Sequence, residues 1–412
     1  MHVLFAPFGT EGDVRPLVAF AHAMAARGHR ISFLASPHFK ALVTPNGWTL
    51  IALGTEQTYR DDLSNPRVWR PVSGVLLFLR IMKRALTQTW DALESAPERF
   101  DLVIGNTVSM PAMTWAEHAG VPRLIVHVQP LPVRSTHDVP LMMSGLEWTT
   151  RLSPRAAAAW FRVADAMTRL LMVPLNVFRR RHGLRTVQTF DALWRRAEGA
   201  AALYPPWLAA PQPDWPANLR QFGALRPSAR DVAALPEAVE RFLSEGEAPI
   251  VWTQGSYNVD LAGLAAIARD TTSRPRARSI VLGLEPKPTD DRAFIHVPYA
   301  SLAALLPRSR ALVHHGGIGT GLEAVAAGIA QLIVARAADH HDNARRFVRA
   351  GVAVSVPVGR FDAASAADAM RGLLASETIA TACRRLQAQL AAADPAPALC
   401  AYAEELAALR RT

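Results

Sequence analysis

The sequence predicts an α/β protein with two Rossmann-like domains, each built around a parallel sheet. The first observation is an apolar run at residues 2–6, then a loop, a helical pattern at residues 14–27 and a second apolar run at Arg30–Ala35. The second observation is that the same order of strand, loop, helix and strand returns after residue 249. A unit of this kind joins parallel strands through a helix, and its recurrence is typical of α/β proteins.

The first predicted helix rests on apolar side chains at helical spacing. Leu17, Phe20 and Met24 are three or four residues apart, so they share one face of a helix. Gly28 is expected to end this helix, because glycine favours the position just after a helix.

The rest of the first half continues the pattern. Residues 102–105 and 123–129 are apolar runs that we expect to be buried strands, with a helix at residues 111–119 between them. Residues 74–86 are predicted to form a helix with a broad apolar surface and a basic flank, and residues 154–182 a longer helical region.

The second half repeats the alternation of strands and helices. Its predicted strands are residues 249–253, 279–283, Ala311–His314 and 331–334, its predicted helices are residues 261–270 and 321–327, and its C-terminal part from residue 376 to 411 is helical. No short repeat is visible, so the duplication is one of whole domains.

A proline-rich stretch near mid-chain suggests where the two domains meet. Residues 204–216 contain too many prolines for a helix or a central strand, and we interpret them as the approach to a linker. The expected division is an N-terminal acceptor-binding domain at 1–226, a linker region at 227–247 and a C-terminal donor-binding domain at 248–390. A last helix at 391–412 is expected to pack back toward the N-terminal domain.

Composition narrows the class of protein. The 412 residues are half hydrophobic, and the formal net charge is +10, nearly all of it from arginine. A basic surface can attract nucleic acid, anionic lipid or phosphorylated substrates. The arginines look scattered along the sequence, so a coding sequence rich in arginine codons is the favoured explanation of the charge. No nucleic-acid partner is therefore expected. Contact with a membrane surface stays open.

Neither secretion nor membrane insertion is indicated. The first residues lack the basic leader of a signal peptide, and no stretch is long and apolar enough for a transmembrane helix. Cys383 and Cys400 provide neither a disulfide framework nor zinc-ligand spacing. We therefore expect a cytosolic protein.

The strongest chemical signal is the segment LVHHGGIGTGLEAVAAG at residues 312–328. A buried strand ends there, two histidines and a glycine-rich turn follow, and a helix begins. The N-terminus of a helix offers unpaired N–H groups and about half a positive charge, and glycines allow an anion to approach the backbone. The pattern predicts a pyrophosphate site without a metal. The alternative is an ordinary turn between strand and helix.

Two further polar loops follow predicted strands. Residues 9–16, GTEGDVRP, follow the first strand, where open α/β sheets bind ligands. Asp13 is a candidate catalytic base there, although an N-cap role for its carboxylate is the commoner one. Residues 338–343, ADHHDN, could recognise a sugar or cap a helix. Adjacent residues on a loop rarely converge on one ion, so no metal site is expected.

Together these motifs resemble those of the GT-B nucleotide-sugar glycosyltransferases, which include sterol and antibiotic glycosyltransferases. Within that family the likeness is nearest to the rhamnosyltransferase of rhamnolipid synthesis. The similar segments, spread over nearly the whole sequence, are residues 9–16, 63–69, 205–216, 249–256, 297–307, 315–320 and 339–343. The resemblance implies that the two sheets face each other across a cleft.

The resemblance also implies an activity. It is metal-independent, inverting transfer of a hexose, of glucose or rhamnose type, from a UDP- or dTDP-sugar to a hydroxyl of a lipophilic acceptor. The nucleotide-sugar is a co-substrate, and no other cofactor is implied. Asp13 stands where the family has its general base. An ordinary aspartate is a weak base for an alcohol, so proton transfer would accompany attack.

The donor contacts are implied position by position. The diphosphate site matches Gly255, Ser256, His315, Gly317, Gly319 and Thr320, the base-ring loop matches Val297 to Tyr299, and the sugar contacts match Asp339 and His340.

Two departures from the family pattern bear on the donor. Many members have Asp-Gln where this chain has Asp339-His340, which leaves the sugar open. Glu323 matches a ribose-binding glutamate of UDP-sugar enzymes, and a carboxylate can accept hydrogen bonds from two vicinal hydroxyls. UDP has both ribose hydroxyls, so a UDP-sugar is favoured slightly over dTDP-rhamnose. The alternative for Glu323 is a solvent-facing helix residue.

The acceptor is expected to bind in the N-terminal domain, against Phe78, Met82, Met142 and Met143. These side chains offer apolar surface, and methionine suits irregular walls around a ligand. A hydroxylated lipid or another apolar natural product is the expected acceptor. An ordinary core role for the helix at residues 74–86 is the alternative.

Three other functions compete with glycosyl transfer. A nucleotide-sugar epimerase can share the two-domain fold. An NAD-dependent oxidoreductase would explain the first domain, but the G-x-G-x-x-G motif is absent and the second domain would have no role. A non-catalytic accessory protein of a glycosyltransferase is the third.

Overall fold

The computed structural model describes residues 1–65, 71–226, 232–255, 261–272, 278–285, 292–336 and 339–409. Two parallel sheets lie in these residues, one in each half of the chain, and helices cover them. The predicted α/β fold with two Rossmann-like halves is therefore confirmed.

The first sheet is built from strands of three to six residues. Its strands within the described residues are β1 (His2–Phe5), β2 (Arg30–Ala35), β3 (Thr49–Ala52), β4 (Leu102–Asn106), β5 (Arg123–His127), β6 (Gly199–Ala202) and β7 (Leu219–Gln221). Their order is β3-β2-β1-β4-β5-β6-β7, with every neighbouring pair parallel.

Helices flank this sheet and connect its strands. Those described are α1 (Glu11–Ala26), α2 (Lys40–Val43), α3 (Glu56–Ser64), α4 (Pro71–Glu94), α5 (Met110–His118), α6 (Pro154–Thr168), α7 (Val173–Arg181) and α8 (Phe190–Trp194). The predicted helical region at 154–182 is thus two helices joined by a 3-10 turn, Arg169–Met172. Pro174, in the first turn of α7, lacks the N–H that a continuous helix would need.

The second sheet repeats the architecture. Its described strands are β8 (Ile250–Thr253), β9 (Ser279–Leu282), β10 (Phe294–Val297), β11 (Ala311–His314), β12 (Ala330–Ile333) and β13 (Ala353–Ser355), in the order β10-β9-β8-β11-β12-β13. The accompanying helices are α9 (Glu237–Ser244), α10 (Leu261–Thr272), α11 (Leu302–Leu305), α12 (Ile318–Ala327), α13 (His340–Arg349), α14 (Ala363–Ala375), α15 (Glu377–Ala392) and α16 (Ala396–Ala408).

The central strands explain where a ligand can bind. Strands β1, β4, β8 and β11 are buried along their whole length, as expected for parallel strands covered on both faces. Strand order reverses between β1 and β4 in the first sheet and between β8 and β11 in the second. Open α/β sheets bind ligands beyond the carboxyl ends of strands at such points. The loops after these four strands are therefore where a site is expected.

Strand β6, which lies between β5 and β7, escaped the sequence analysis, as did the edge strands of both sheets. Strand β6 has the sequence GAAA, which lacks the β-branched side chains typical of strands. It is nevertheless buried, and a Cβ on Gly199 would lie 2.6 Å from the hydroxyl of Tyr402. The close approach of α16, rather than local preference, fixes this strand.

The proline-rich segment at residues 204–216 lies before the last strand of the first sheet. Strand β7 follows it and still belongs to the first sheet. Tyr204 and Leu208 are fully buried, and they belong to one apolar cluster with Ile318 and Phe347 of the second half. This proline-rich segment therefore forms part of the contact between the two halves.

The last helix returns to the first half of the protein. In α16, Tyr402 and Leu406 join the core of the first sheet, and the Tyr402 hydroxyl donates to the carbonyl of Asn218 at 2.9 Å. Arg27, at the end of α1, donates two hydrogen bonds of 2.7 Å to Glu404. In the part of the sequence that is described, no helix has the length and apolar character to cross a membrane.

Candidate active site

The loops of the two halves meet across the cleft. Arg15, in the first turns of α1, lies within electrostatic range of the side chain of Tyr299, which follows β10, and of Glu323 in α12. Burial raises the pKa of Asp339, in the loop before α13, and the charge of Asp13 raises it further. The loop after β1 and the loops of the second sheet therefore form one site.

Asp13 lies in the first turn of α1 but is not its N-cap. The helix begins at Glu11, three residues before the predicted start, and Thr10 is the N-cap. Asp13 is the third helical residue, and its Oδ2 accepts hydrogen bonds from the N–H of Thr10 at 2.9 Å and from the Thr10 hydroxyl at 3.3 Å. This is the reciprocal bond of a capping box, in which the third residue reaches back to the cap.

Asn106 holds the second oxygen of that carboxylate. Its Nδ2 donates to Asp13 Oδ1 at 2.8 Å and to the carbonyl of Phe8 at 2.8 Å, while its Oδ1 accepts the N–H of Phe8 at 3.1 Å. Asn106 is buried at the end of β4, next to β1. The sequence analysis missed it. The available signal was a polar residue that ends a buried apolar strand at the carboxyl edge of the sheet.

Burial and hydrogen bonding act on Asp13 in opposite directions. Burial raises the pKa of the Asp13 carboxyl above its ordinary value, and the hydrogen bonds from Thr10 and Asn106 offset part of that rise. Asp13 is thus a stronger base than an ordinary aspartate. Gly9 makes room for it. Its φ is +123°, and any side chain there would collide with the Asp13 carboxylate.

The glycine-rich turn after β11 leads directly into α12. Gly317 is the N-cap, so no side chain caps the N–H groups of the first helical turn. The helix begins at Ile318 rather than at residue 321, which places Gly319 and Thr320 within that first turn. Unpaired N–H groups at a helix N-terminus suit an anion. The predicted diphosphate turn therefore has the required backbone geometry.

His315 is enclosed by glycines at the base of this turn. A Cβ on Gly255 would collide with its ring, and a Cβ on Gly317 would lie 2.6 Å from its Nε2. The ring packs edge-to-face against His340, with centroids 4.7 Å apart. Burial holds the pKa of His315 well below its usual value, so the imidazole is neutral. Ser256, predicted beside Gly255, lies outside the described residues.

The two adjacent histidines of the turn have different environments. His314 points into the sheet, where the N–H of Gly316 donates to its Nδ1 at 3.2 Å and its Nε2 pairs with Gln331 Oε1 at 3.0 Å. The Nδ1 atoms of His315 and His340 are buried and have no hydrogen-bond partner among the described residues. Buried polar atoms normally have partners, so these two nitrogens are candidates for ligand contact.

Asp339 and its neighbours connect the loop before α13 to the glycine-rich turn after β11. Asn343 Nδ2 donates to Asp339 Oδ2 at 2.7 Å and to the carbonyl of Gly316 at 3.1 Å. Burial, together with the charge of Asp13, raises the pKa of Asp339 to about 7. His340 is also buried, and burial lowers its pKa to about 4. Asp339 and His340 thus lie beside the turn, and their contact with a sugar stays a prediction.

The nucleoside side of the predicted site is only partly as expected. Tyr299 is exposed and faces Arg15, whereas the side chain of Val297 is buried in the core of the second sheet and cannot contact a base ring directly. Glu323 is half-buried. Burial raises its pKa, and the charges of Arg226 and Arg15 oppose the rise. Glu323 is therefore not an ordinary solvent-facing helix residue.

The four side chains predicted to contact the acceptor differ in their exposure. Phe78 and Met142 are half-buried and Met143 is exposed, so all three can border a cavity. Met82 is fully buried in a cluster with Met172, and its role is packing rather than contact with an acceptor.

A row of rings that the sequence analysis missed runs beside this wall. Phe78 lies 6.5 Å from Phe190, Phe190 lies 6.2 Å from Trp194, and Trp194 lies 5.4 Å from the ring of His127, each measured between centroids. His127 ends β5, and its Nδ1 pairs with the hydroxyl of Thr107 at 3.1 Å. The row therefore ends at Thr107, the next residue in sequence after Asn106, which holds the Asp13 carboxylate.

The site and fold together define a GT-B protein, with two facing parallel sheets and a candidate diphosphate turn. Among the described residues, no three His, Cys, Asp or Glu side chains are grouped to hold a metal ion. Residues 3–130 match the glycosyltransferase family 28 N-terminal domain, and residues 283–409 match the C-terminal domain of erythromycin biosynthesis protein CIII-like proteins. The chain belongs to the GT-B nucleotide-sugar glycosyltransferases, on the side of the family that serves natural-product biosynthesis.

Individual relatives agree with this membership. O-mycaminosyltylonolide 6-deoxyallosyltransferase of Streptomyces fradiae is 29% identical, and the alignment covers 100% of this chain and 99% of the relative. The solved glycosyltransferase of kitacinnamycin has a TM-score of 0.73 at 17% identity, with 98% of each protein covered. VinC, solved with dTDP, has a TM-score of 0.68 at 20% identity, with 99% of each protein covered. The specific likeness to the rhamnolipid enzyme stays a prediction.

Family membership decides between the competing functions at the level of reaction class. The chain is a glycosyltransferase with a nucleotide-sugar donor, and neither epimerisation nor NAD-dependent oxidation is the family's reaction.

Proposed function

We propose that this chain is an inverting hexosyltransferase in which Asp13 is the general base and no metal takes part. The observation that carries the proposal is the Asp13 carboxylate, held by Thr10 and Asn106 at the cleft with its pKa raised by burial. A base with a raised pKa takes a proton from an alcohol more readily than an ordinary aspartate does.

In the proposed reaction the acceptor hydroxyl donates a hydrogen bond to Asp13. Its oxygen attacks the anomeric carbon of the donor while the proton passes to the carboxylate. The bond from the anomeric carbon to the diphosphate breaks with its electron pair on the diphosphate oxygen. One displacement of this kind inverts the configuration at the anomeric carbon.

The leaving diphosphate is the group that gains charge, and the turn after β11 is suited to hold it. The uncapped N–H groups of α12 and the neutral imidazole of His315 can donate hydrogen bonds to the leaving oxygens. These donors replace the cation that other phosphate sites use, so the proposed site is metal-independent, with the nucleotide-sugar as its co-substrate.

Both UDP- and dTDP-sugars fit this proposal, and Glu323 favours UDP slightly. Its position in the second turn of α12 is beside the diphosphate turn, where a carboxylate can accept both ribose hydroxyls of uridine. VinC, a structural neighbour, was solved with dTDP, which has one such hydroxyl. Thermal-shift titration with UDP and dTDP tests the choice. Tighter binding of dTDP than of UDP would exclude a uridine-selecting role for Glu323. So would a Glu323→Gln variant that keeps the wild-type preference between UDP and dTDP.

For the sugar we propose a hexose whose hydroxyls bond Asp339 and His340. With a pKa of about 7, the Asp339 carboxyl can donate or accept near neutral pH. Product analysis by mass spectrometry, with a panel of glucose- and rhamnose-type donors, would identify the sugar.

For the acceptor we propose an apolar molecule with a free hydroxyl, such as a hydroxylated lipid or another natural product. The row from Phe78 to His127 gives it an aromatic wall that leads toward Asp13. Trp194→Ala should raise the KM for such an acceptor about tenfold and leave the donor KM unchanged, while Trp194→Phe should retain most binding. Glycosylation of small hydrophilic sugars alone would exclude this acceptor class.

The central test compares Asp13→Asn with Asp368→Asn, which changes an exposed carboxylate on α14 that pairs with Arg371. Asp13→Asn should lower kcat by about a hundredfold or more with nucleotide affinity unchanged, and Asp368→Asn should do neither. Full turnover in Asp13→Asn would remove Asp13 as the base. Wild-type protein that binds donor but never forms product would indicate a non-catalytic accessory protein, and isomerised donor without acceptor an epimerase.

A further inference from the structure

Helix α6 leaves most of its surface uncovered by the rest of the protein. Of its fifteen residues, all described, Ala157 is the single buried one. Val163 and Met167 are exposed, Met167 to 75%. Leu170, in the 3-10 turn that follows, is exposed to 71%. An isolated exposed apolar residue is ordinary, but a helix that exposes a series of them indicates a surface that binds something.

These apolar side chains form a stripe. Val163, Met167 and Leu170 are four and three residues apart, so they lie on one face. Trp148 is also exposed, and its ring packs edge-on against Trp160 of α6, with centroids 5.7 Å apart. The stripe is thus extended at one side by a large aromatic ring.

A row of arginines lies beside the apolar stripe. Arg155, Arg162 and Arg169 are seven residues apart, which brings them nearly above one another on a helix, and all three are exposed. Residues 151–185 contain eight arginines against one aspartate, a formal charge of +7 within a protein of net charge +10. The aspartate, Asp165, is ion-paired with Arg134. The arginines are therefore concentrated here, contrary to the expectation that they are scattered.

We propose that this outer surface of α6 and the following turn, formed by Arg155, Arg162, Val163, Met167, Arg169 and Leu170 and called here the α6 surface, docks on membranes that contain anionic phospholipid. A helix with an apolar stripe beside a row of cations lies flat in the boundary between lipid headgroups and acyl chains. Anionic headgroups attract such a row. A nucleic acid would use the arginines but leave the apolar stripe exposed.

The position of the α6 surface supports a membrane rather than an unrelated contact. The turn that carries Leu170 on its outer side ends at Met172, and Met172 packs inward against Met82. Phe78 of the proposed acceptor wall packs on the same cluster. A bilayer seated on the α6 surface would therefore adjoin the wall proposed for an apolar acceptor. The docking itself does not depend on the proposed reaction.

Flotation with lipid vesicles tests the proposal on the full-length protein. The wild-type protein should float with vesicles of phosphatidylcholine and phosphatidylglycerol, and not with phosphatidylcholine alone. Binding should fall about tenfold in Arg155→Gln/Arg162→Gln/Arg169→Gln and in Met167→Ser/Leu170→Ser.

The matched control is Arg371→Gln/Arg384→Gln/Arg385→Gln, which removes the same charge from exposed positions of the second half. It should bind vesicles as the wild type does, and all variants should keep the wild-type Tm and turnover of a detergent-solubilised acceptor. Failure of the wild type to float, or an equal loss in the control, would overturn the proposal. Capture of a protein partner that depends on the α6 surface, without vesicle binding, would also overturn it. Vesicle binding needs neither donor nor acceptor, so its failure is distinct from that of the proposed reaction.

Discussion

Asn106 Nδ2 donates a 2.8 Å hydrogen bond to Oδ1 of Asp13, from a strand end that is 93 residues away in sequence. The same amide holds both the N–H and the carbonyl of Phe8. One buried side chain thus fixes the loop after β1 and the orientation of the carboxylate that the loop carries. A base held in this way needs no rearrangement before it meets the acceptor hydroxyl.

Replacement of Asn106 should change the pKa of Asp13 while the Asp13 carboxylate stays in place. Asn106→Asp puts a second carboxylate beside Asp13 and removes the donor, and both effects raise the pKa of Asp13. The acid limb of the kcat profile should move to higher pH, and kcat at neutral pH should fall about tenfold or more. A pH–rate series for wild type and variant measures both. A lower kcat with an unmoved acid limb would contradict this role and leave only a structural one.

Gly9, in the loop after β1, and Gly12, in the first turn of α1, form a matched pair of test positions. Gly9→Ala forces a side chain into a φ of +123° and against the Asp13 carboxylate, so it should cost about 1–3 kcal/mol of unfolding free energy and most of the activity. Gly12 is helical, and a Cβ there would lie 3.6 Å from the Thr10 hydroxyl, an ordinary contact. Gly12→Ala should keep activity and stabilise slightly. Equal behaviour of the two variants in urea unfolding and turnover would contradict the assignment.

The turn after β11 allows a double-mutant test. Gly317→Ala brings a methyl group 2.6 Å from His315 Nε2 and should displace the ring, so nucleotide affinity should fall about tenfold. If Gly317→Ala weakens nucleotide binding by displacing the imidazole of His315, it should reduce affinity little further in a His315→Ala background. Calorimetric titration with UDP or dTDP gives the four affinities. Gly319→Ala is the stability control, because its Cβ would meet no protein atom within 4 Å. Additive losses would show that Gly317 acts independently of His315.

The sequence predicted most of the central architecture because the strands beside the switch points are short buried runs followed by glycine or polar residues. It located Asp13 and His315 for the same reason. It could not find the bond of Asn106 to Asp13 or the proximity of Arg15 to Tyr299, since each joins residues far apart in the sequence. Nor could it separate Val297, whose side chain turns into the core, from Tyr299 two residues later, which turns to the cleft.

Asp339 should make stability depend on pH. Its folded-state pKa of about 7 lies above the ordinary 3.8, so the folded protein binds this proton more tightly than the unfolded protein does. The stability that this bound proton contributes is fully present below about pH 4 and is lost as the pH rises through 7. Asp339→Asn keeps an oxygen for Asn343 and removes the titration.

The variant should therefore gain up to about 4 kcal/mol over wild type at pH 8 and little at pH 4, because each pKa unit corresponds to about 1.4 kcal/mol. Tm measured against pH for both proteins tests this. Parallel curves would contradict a raised pKa at Asp339. Loss of sugar transfer in the same variant, with nucleotide affinity retained, would agree with the proposed contact to the sugar.

Arg346 joins the two halves of the molecule. It donates to Asp138 of the first half at 2.6 Å and to Asp342 of its own helix at 2.6 Å, and both Arg346 and Asp342 are buried. Removal of one partner from a buried ion pair leaves charge without compensation. Arg346→Ala should therefore cost about 3–5 kcal/mol in urea unfolding. Arg371→Ala, which breaks an exposed pair with Asp368, should cost about 0–1 kcal/mol.

The ion pair between Arg346 and Asp138 should also affect the stability of the protein at acid pH. Arg346 and Arg349, acting against burial, lower the pKa of Asp138 to about 2, so this carboxylate stabilises the fold above about pH 4 and loses that effect as the pH falls through 2. Arg346→Ala should flatten this acid limb, and it should also raise the donor KM, because α13 carries His340 in its first turn. A variant with wild-type stability, acid limb and donor KM would show that the two halves are held by their apolar contact alone.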